Sequence, residues 1–128
     1  MQAIIYHNPK CSKSCFALEY LEANNVEILI KYYLATGLTR EEIFEILACL
    51  KADITDIFRE DEEVFIKKKP LLKFISRDSL INEILEQPIL LQRPIIMFKE
   101  KQIGIIARSE DSVASLLKYV GVDQINIG

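Results

Sequence analysis

The first third of the chain alternates between apolar runs of the β type and a segment with helical spacing. Residues 3–6 form a short apolar run, and the polar turn at 7–9 (His-Asn-Pro) follows it. Apolar residues then recur at helical spacing across 12–24, and residues 26–33 are rich in β-branched and aromatic side chains. A strand, a helix and a strand within this length predict a parallel βαβ unit.

Helical signals fill the middle of the chain. Thr39 stands three residues before Glu42 and ahead of an apolar face, which is the capping-box spacing that begins a helix. Residues 53–58 are predicted to form a short helix capped by Asp53, and residues 78–85 another that ends before a proline. The middle third is therefore predicted to be helical.

The last third predicts a hairpin and a final helix. The apolar runs at 94–98 and 103–107 are separated by the polar residues 99–102, which indicates two antiparallel strands. Ser109, followed by two acidic residues, is predicted to cap a helix that stops near Gly121. The order βαβ, helices, ββα is the thioredoxin-like arrangement with a helical insertion. It predicts an α/β fold with a mixed, mainly four-stranded sheet flanked by helices.

The length of 128 residues predicts a single domain over residues 1–128. Half of the residues are hydrophobic, and the net charge is −3, which indicates neither nucleic-acid binding nor a polybasic membrane anchor. The basic run at 67–69 is predicted to be solvated surface. No apolar run approaches the roughly 18 residues of a membrane span, and the first residues lack the basic region of a signal peptide. We expect a cytoplasmic monomer whose anion site, if it has one, is built locally.

The functional prediction depends on Cys11, one of three cysteines. It falls between the first predicted strand and helix, where unpaired backbone N–H groups and the positive end of the helix dipole favour a thiolate. Lys10 and Lys13 add positive charge, while Ser12 and Ser14 can donate hydrogen bonds to sulfur or to an anion. The same N–H groups are suited to a tetrahedral oxyanion.

Two blocks of the sequence resemble one family. Residues 7–14 (HNPKCSKS) strongly resemble the active-site loop of the glutaredoxin-coupled arsenate reductase (ArsC-like) family of the thioredoxin-like superfamily. Residues 87–96 (QPILLQRPII) resemble the family's segment in which an arginine precedes a proline at the start of a strand. The residues at 58–60 and 106–108 resemble the segments that carry its middle and last arginines. The resemblance covers about residues 2–118.

The resemblance implies site residues position by position. Cys11 would be the nucleophile, with His7 and Ser14 tuning its thiolate. Pro94 would be the cis-proline that faces the thiol. The residues implied to bind the oxyanion are arginines, whose guanidinium forks match its oxygens: Arg59, Arg93 and Arg108.

The resemblance also implies a reaction. The Cys11 thiolate attacks arsenate, glutathione attacks the adduct, glutaredoxin resolves the mixed disulfide, and arsenite is released. Glutathione is then a co-substrate and glutaredoxin a protein partner, with no tightly bound cofactor. On this interpretation the protein is an oxidoreductase.

Cys15 and Ser12 depart from the family pattern, which often has arginine and glycine there. If the helix begins near Ser12, Cys15 lies one turn from Cys11, and two roles stay open for it: a resolving thiol or a buried bystander. His7, Cys11 and Cys15 are spaced four apart, but Asn-Pro after His7 opposes a helix through them, so no metal site is predicted. Cys49 lies among apolar residues and is predicted to be a core thiol.

Two alternative functions stay open. The first is a generic thiol-disulfide oxidoreductase of the same family, acting on glutathione conjugates or protein mixed disulfides. The second is non-enzymatic, because related thioredoxin-like regulators bind RNA polymerase and switch through two cysteines separated by two residues. This chain lacks that spacing and keeps the His-Asn-Pro turn.

Overall fold

The sheet is organised around the first strand, which lies between two neighbours. The computed structural model describes residues 1–59 and 75–124, so the basic run at 67–69 lies outside the described residues. The strands are β1 (Gln2–Tyr6), β2 (Glu27–Lys31), β3 (Ile95–Phe98) and β4 (Ile103–Ile106). The helices are α1 (Ser12–Ala23), α2 (Tyr33–Thr36), α3 (Arg40–Leu50), α4 (Arg77–Glu86) and α5 (Glu110–Tyr119). Short 3-10 turns cover Ile54–Ile57, Pro88–Leu90 and Lys99–Lys101.

The strand order is β2-β1-β3-β4, with one parallel and two antiparallel pairs. β1 pairs in parallel with β2, as the βαβ prediction requires, and antiparallel with β3. β3 and β4 form the predicted hairpin, in which Ile95 pairs with Ile106. The prediction of a mixed four-stranded sheet flanked by helices is confirmed.

Helices cover both faces of the sheet because the side chains of β1 alternate between them. Ile4 and Tyr6 pack in one core cluster with α3 and α4, whereas Ala3 and Ile5 pack in the other with α1 and α5. The sheet is thereby packed between two helical layers, which fixes the strand ends from which the loops begin.

Local capping chemistry sets where several helices begin. The Glu42 N–H donates to the Thr39 hydroxyl at 3.1 Å, and the Thr39 N–H donates to the Glu42 carboxylate at 2.9 Å, so the predicted capping box is confirmed. Ser109 caps α5 as predicted, by accepting from the Ser112 N–H at 3.2 Å. The short helix predicted after Asp53 is a 3-10 turn over Ile54–Ile57.

The second strand is shorter than the predicted 26–33. β2 ends at Lys31, whose carbonyl accepts the His7 N–H at 2.9 Å, and Tyr33 already begins α2. β1 ends at Tyr6, which is paired with Lys31, so the ladder has no partner strand beyond that point. The β propensity of the two tyrosines is overridden because pairing, not propensity, sustains a strand.

Among the residues described, no helix has the length and apolar character needed to cross a membrane.

Candidate active site

Asn8 organises the loop between β1 and α1. Its carbonyl accepts the Cys11 N–H at 3.0 Å, and its side-chain oxygen accepts the Lys10 N–H at 3.0 Å. Its own N–H donates to the Ser14 hydroxyl oxygen at 3.0 Å. Asn8 is buried, so these bonds fix the turn that delivers Cys11 to the start of α1. The Asn-Pro pair predicts a turn at this position, but the sequence pattern does not reveal the hydrogen bonds that Asn8 makes there.

His7 lies behind this loop. It is 4% exposed, its Nδ1 lies 2.7 Å from the Ser14 hydroxyl oxygen, and its ring meets Tyr32 edge-on with centroids 5.7 Å apart. Burial lowers the pKa of His7 from its ordinary value, and the charge of Glu22 and the bond with Ser14 oppose this only in part. Burial thus favours the uncharged form of the imidazole, which contacts the loop through the Ser14 hydroxyl.

Cys11 occupies the N-cap position of α1 with extended backbone angles. Partial burial acts to raise the pKa of its thiol, but four other influences together outweigh burial and leave the pKa lowered. These are the N–H groups of Ser14 and Lys13, the charge of Arg93 and a hydrogen bond from the Arg93 side chain. The thiolate that the sequence predicts at the start of α1 is thus stabilised by named hydrogen-bond donors and by the charge of Arg93.

Backbone hydrogen bonds bring the three arginines together from distant parts of the chain. The Arg59 N–H donates to the Leu90 carbonyl at 2.7 Å, which places Arg59 beside the segment that carries Arg93. The Ala107 N–H donates to the Pro94 carbonyl at 2.8 Å, which places Arg108 next to the same segment. The Arg93–Pro94 peptide is cis, as the resemblance implies.

These residues surround one cavity of about 430 Å³. Its lining among the described residues combines the thiol with four cationic side chains and polar groups, and includes no acidic residue: Cys11, Ser12, Lys13, Arg59, Gln92, Arg93 and Arg108. In a chain of net charge −3, this is a locally concentrated positive site next to a sulfur nucleophile. All three sequence-predicted arginines are therefore placed together with Cys11.

Arg93 is the cation most closely tied to the thiol. Besides its bond to Cys11, its Nε and Nη1 atoms are buried and find no hydrogen-bond partner in the described part of the chain. Buried guanidinium N–H groups are normally satisfied, and at a site of this kind a bound anion is the partner that would satisfy them.

Gln92 also lines the cavity, although in its sequence block only Arg93 is predicted to bind the oxyanion. The side-chain oxygen of Gln92 accepts from Nη2 of Arg108 at 2.7 Å, and its side-chain nitrogen donates to the Asp56 carbonyl at 3.2 Å. Gln92 thereby orients Arg108. No local sequence signal shows this, since Gln92 and Arg108 come together only through the hairpin.

The other two cysteines have different surroundings. Cys15 is partly buried and its Sγ donates to the Pro9 carbonyl at 3.2 Å, while Cys49 is buried in the core as predicted. All three thiols are free. No cluster of three or more histidine, cysteine or acidic side chains suited to a metal ion occurs within residues 1–59 and 75–124.

Comparison with known proteins agrees with this geometry. The model of the ArsC family matches residues 6–116. An arsenate reductase from Escherichia coli K-12 is 32% identical over 93 residues, 73% of this chain and 66% of that protein, so the chain spans just under two-thirds of its length. The uncharacterized protein YfgD of the same organism is 32% identical over 103 residues, 78% of this chain and 85% of the relative.

A solved structure extends the comparison to the fold. The arsenate reductase from Vibrio cholerae superposes with a TM-score of 0.82 at 30% identity, covering 91% of this chain and 98% of that one. The chain belongs to the ArsC family and has the thioredoxin-like fold of its structural relatives.

Proposed function

We propose that the protein is an arsenate reductase in which Cys11 is the nucleophile and glutathione with glutaredoxin supplies the electrons. The observation that carries the proposal is the cavity in which a thiol of lowered pKa faces Arg59, Arg93 and Arg108. Arsenate is a tetrahedral dianion near neutral pH, and guanidinium groups bind such oxygens with fork geometry. The family membership and the arsenate reductases among its relatives support this substrate.

The first step is attack of the Cys11 thiolate on arsenic. A sulfur–arsenic bond forms, the bond from arsenic to a hydroxyl oxygen breaks, and the departing hydroxide takes up one proton and leaves as water. Arg93 contacts both the thiol and the cavity, so it neutralises charge on the two reactants at once. Arg59 and Arg108 hold the remaining oxygens in place for in-line attack.

The second step transfers the electrons. A glutathione thiolate attacks the Cys11 sulfur, a disulfide forms, and the electron pair of the broken sulfur–arsenic bond stays on arsenic. Arsenic passes from the +5 to the +3 state and leaves as arsenite. Glutaredoxin then takes the glutathione from the mixed disulfide and restores the Cys11 thiolate. The proposal requires no tightly bound cofactor.

The generic thiol-disulfide oxidoreductase remains the second candidate because Cys15 lies one helical turn after Cys11. The Cys15 N–H donates to the Cys11 carbonyl at 3.0 Å, so Cys15 lies one helical turn after Cys11. The Cys15 thiol, however, donates to the Pro9 carbonyl rather than to Cys11. This contact favours a bystander role for Cys15 and hence the arsenate reductase.

The deciding experiment is NADPH consumption with glutathione, glutaredoxin and glutathione reductase, with and without arsenate. We expect consumption that depends on arsenate in the wild type, none with Cys11→Ser, and full activity with the matched variant Cys15→Ser. Absence of arsenate-dependent consumption in the wild type, with a glutaredoxin shown to be active on another substrate, would reject the proposal. Consumption with protein mixed disulfides instead would favour the second candidate.

A further inference from the structure

A second cavity adjoins the candidate active site. It has a volume of about 490 Å³ and lies between the starts of α1 and α5. Three of its lining residues, Ser12, Lys13 and Arg108, also line the cavity that contains Cys11. Ser12 and Lys13 follow Cys11 directly in the chain, so a molecule in the second cavity lies next to the sulfur nucleophile.

The walls of the second cavity differ from those of the first. Besides the shared residues they are mostly apolar and include one acidic side chain: Phe16, Ala17, Ala107, Ser109, Glu110 and Val113. The first cavity has cations and no acid among its described lining residues, which suits a compact anion. An acidic group and an apolar wall disfavour such an anion, so the second cavity is suited to a different ligand.

The charged groups of the second cavity are two cations and one anion. Lys13 and Arg108 supply the positive charges, and Glu110, the first residue of α5, supplies the negative charge. All three residues are exposed. Lys13 and Glu110 form no ion pair with each other or with any other side chain of residues 1–59 and 75–124. The cavity thus presents separated charges of both signs to a ligand that enters from solvent.

Glutathione has the complementary set of charges. At neutral pH it carries two carboxylates, one ammonium group and the thiol that the proposed reaction requires. Its carboxylates match the two cations, its ammonium group matches the one acid, and its methylene groups can lie on the apolar wall. Phe16 in this wall is 43% exposed, so its ring is accessible to a ligand. The cavity volume also falls within the range of about 300–1,000 Å³ that is usual for small-molecule sites.

A third cavity, of about 350 Å³, lacks these features. It is lined by the loop before Cys11 and by residues at the start of α2, and it shares no described residue with the cavity of Cys11. Its lining among the described residues contains the cation Lys10 and no acid. It therefore offers a partner for only one of the three charges of glutathione.

We propose that the second cavity is the binding site of glutathione. Lys13 and Arg108 bind its carboxylates and Glu110 binds its ammonium group, so that its thiol is directed towards Cys11. This inference rests on the proposed function for the identity of the reductant, but it assigns a role to Glu110, which neither the cysteine loop nor the arginine block marks. Arg108 then contacts both reactants, because it lines both cavities.

Glu110→Gln is the sharpest variant, because it removes one charge and keeps the size of the side chain. Its matched control is Asp111→Asn at the next position of α5, which is not among the described residues that line the two cavities. Both acids lie in the first turn of α5, so the two variants lose the same interaction with the helix dipole and the same long-range charge. A difference between them therefore reports contact with the ligand.

The readout requires no arsenate. It is the rate at which glutathione disulfide modifies Cys11, followed by mass spectrometry of the peptide that contains Cys11. The Cys11 thiolate attacks one sulfur of the disulfide, a new sulfur–sulfur bond forms, and one glutathione leaves as its thiolate. We expect Glu110→Gln to react about three to five times more slowly than Asp111→Asn, which is the size expected for loss of one partly exposed ion pair.

Two further disulfides separate binding from reactivity. Glutathione disulfide acetylated on its amino groups should modify the wild type more slowly by the same factor, and acetylation should make no difference to Glu110→Gln. The uncharged 2-hydroxyethyl disulfide should modify Cys11 at equal rates in the wild type and in both variants. In turnover, Glu110→Gln should raise the KM for glutathione and leave the KM for arsenate unchanged.

Equal rates of Glu110→Gln and Asp111→Asn with glutathione disulfide would overturn the inference and leave the proposed function intact. A deficit of Glu110→Gln that is confined to the unacetylated disulfide, in a protein that reduces no arsenate, would support the glutathione site and reject arsenate as the substrate. An equal deficit with 2-hydroxyethyl disulfide would overturn the inference, because it would show a general loss of Cys11 reactivity.

Discussion

The Ser14 hydroxyl lies 2.7 Å from Nδ1 of His7, and the Asn8 N–H donates to the same oxygen at 3.0 Å. One buried hydroxyl therefore joins two residues of the loop that precedes Cys11. The part of Ser14 that lowers the pKa of Cys11 is its backbone N–H, not this hydroxyl. The side chain of Ser14 thus holds the loop together, whereas its backbone N–H stabilises the Cys11 thiolate.

This division predicts the behaviour of Ser14→Ala. Removing the hydroxyl leaves a buried N–H and a buried imidazole nitrogen unsatisfied, so the free energy of unfolding should fall by about 1–3 kcal/mol. The pKa of Cys11 should change little, because the backbone donor remains. Urea denaturation measures the first effect and the pH profile of alkylation the second. The control is Ser115→Ala on the exposed face of α5. A large rise in the Cys11 pKa with unchanged stability would contradict the division.

The lowered pKa of Cys11 predicts how reactivity and stability vary with pH. Alkylation of Cys11 should reach half its maximal rate below the ordinary thiol value, whereas burial raises the pKa of Cys49 and should keep that thiol unreactive. The pKa of Cys11 is lower in the folded than in the unfolded chain, so its ionisation stabilises the folded state. This contribution to the free energy of unfolding is fully present above the unfolded pKa and is lost as pH falls through the folded pKa. Cys11→Ser should remove that portion of the pH dependence of the melting temperature; its persistence would refute the assignment.

Arg93→Lys separates the charge of Arg93 from its planar shape. Lysine keeps one positive charge but loses the fork and the fixed N–H directions, so the KM for arsenate should rise about tenfold or more. The pKa of Cys11 should rise only modestly, because the charge persists. Steady-state kinetics and alkylation profiles provide the two measurements. Arg40→Lys, at a partly exposed arginine paired with Asp78 at 3.5 Å, serves as the control. An unchanged KM would show that charge alone suffices at this position.

The contact of Cys15 with Pro9 predicts that this thiol does not resolve an adduct on Cys11. Mass spectrometry after mild oxidation should find glutathione on Cys11 and no Cys11–Cys15 disulfide. Replacing glutathione and glutaredoxin by thioredoxin should support no turnover, in the wild type or in Cys15→Ser. Thioredoxin-driven turnover that disappears in Cys15→Ser would establish Cys15 as the resolving thiol.

Features set by short-range chemistry were predictable from the sequence. The Thr39–Glu42 capping box, the cap at Ser109 and the hairpin around residues 99–102 all depend on neighbours within a few residues, and all are present. The position of Cys11 at the start of a helix was also predictable, because the turn signal before it and the helical spacing after it are both local. In the arginine block the motif itself identified Arg93.

Features set by tertiary packing were not predictable. Gln92 acquires its partner Arg108 through the β3–β4 hairpin. The predicted length of β2 was wrong for a related reason. The end of β2 depends on where its partner β1 ends, and the residues of β2 themselves do not indicate that position.

The cluster of cations around Cys11 also bears on how a catalytic cycle ends. Under the proposed chemistry the oxyanion that enters carries two negative charges, whereas arsenite is uncharged around neutral pH. Reduction thus removes the attraction to Arg59, Arg93 and Arg108 in the same event that breaks the sulfur–arsenic bond. Under this chemistry, the loss of charge on reduction weakens the binding of the product to the three arginines and so favours its release.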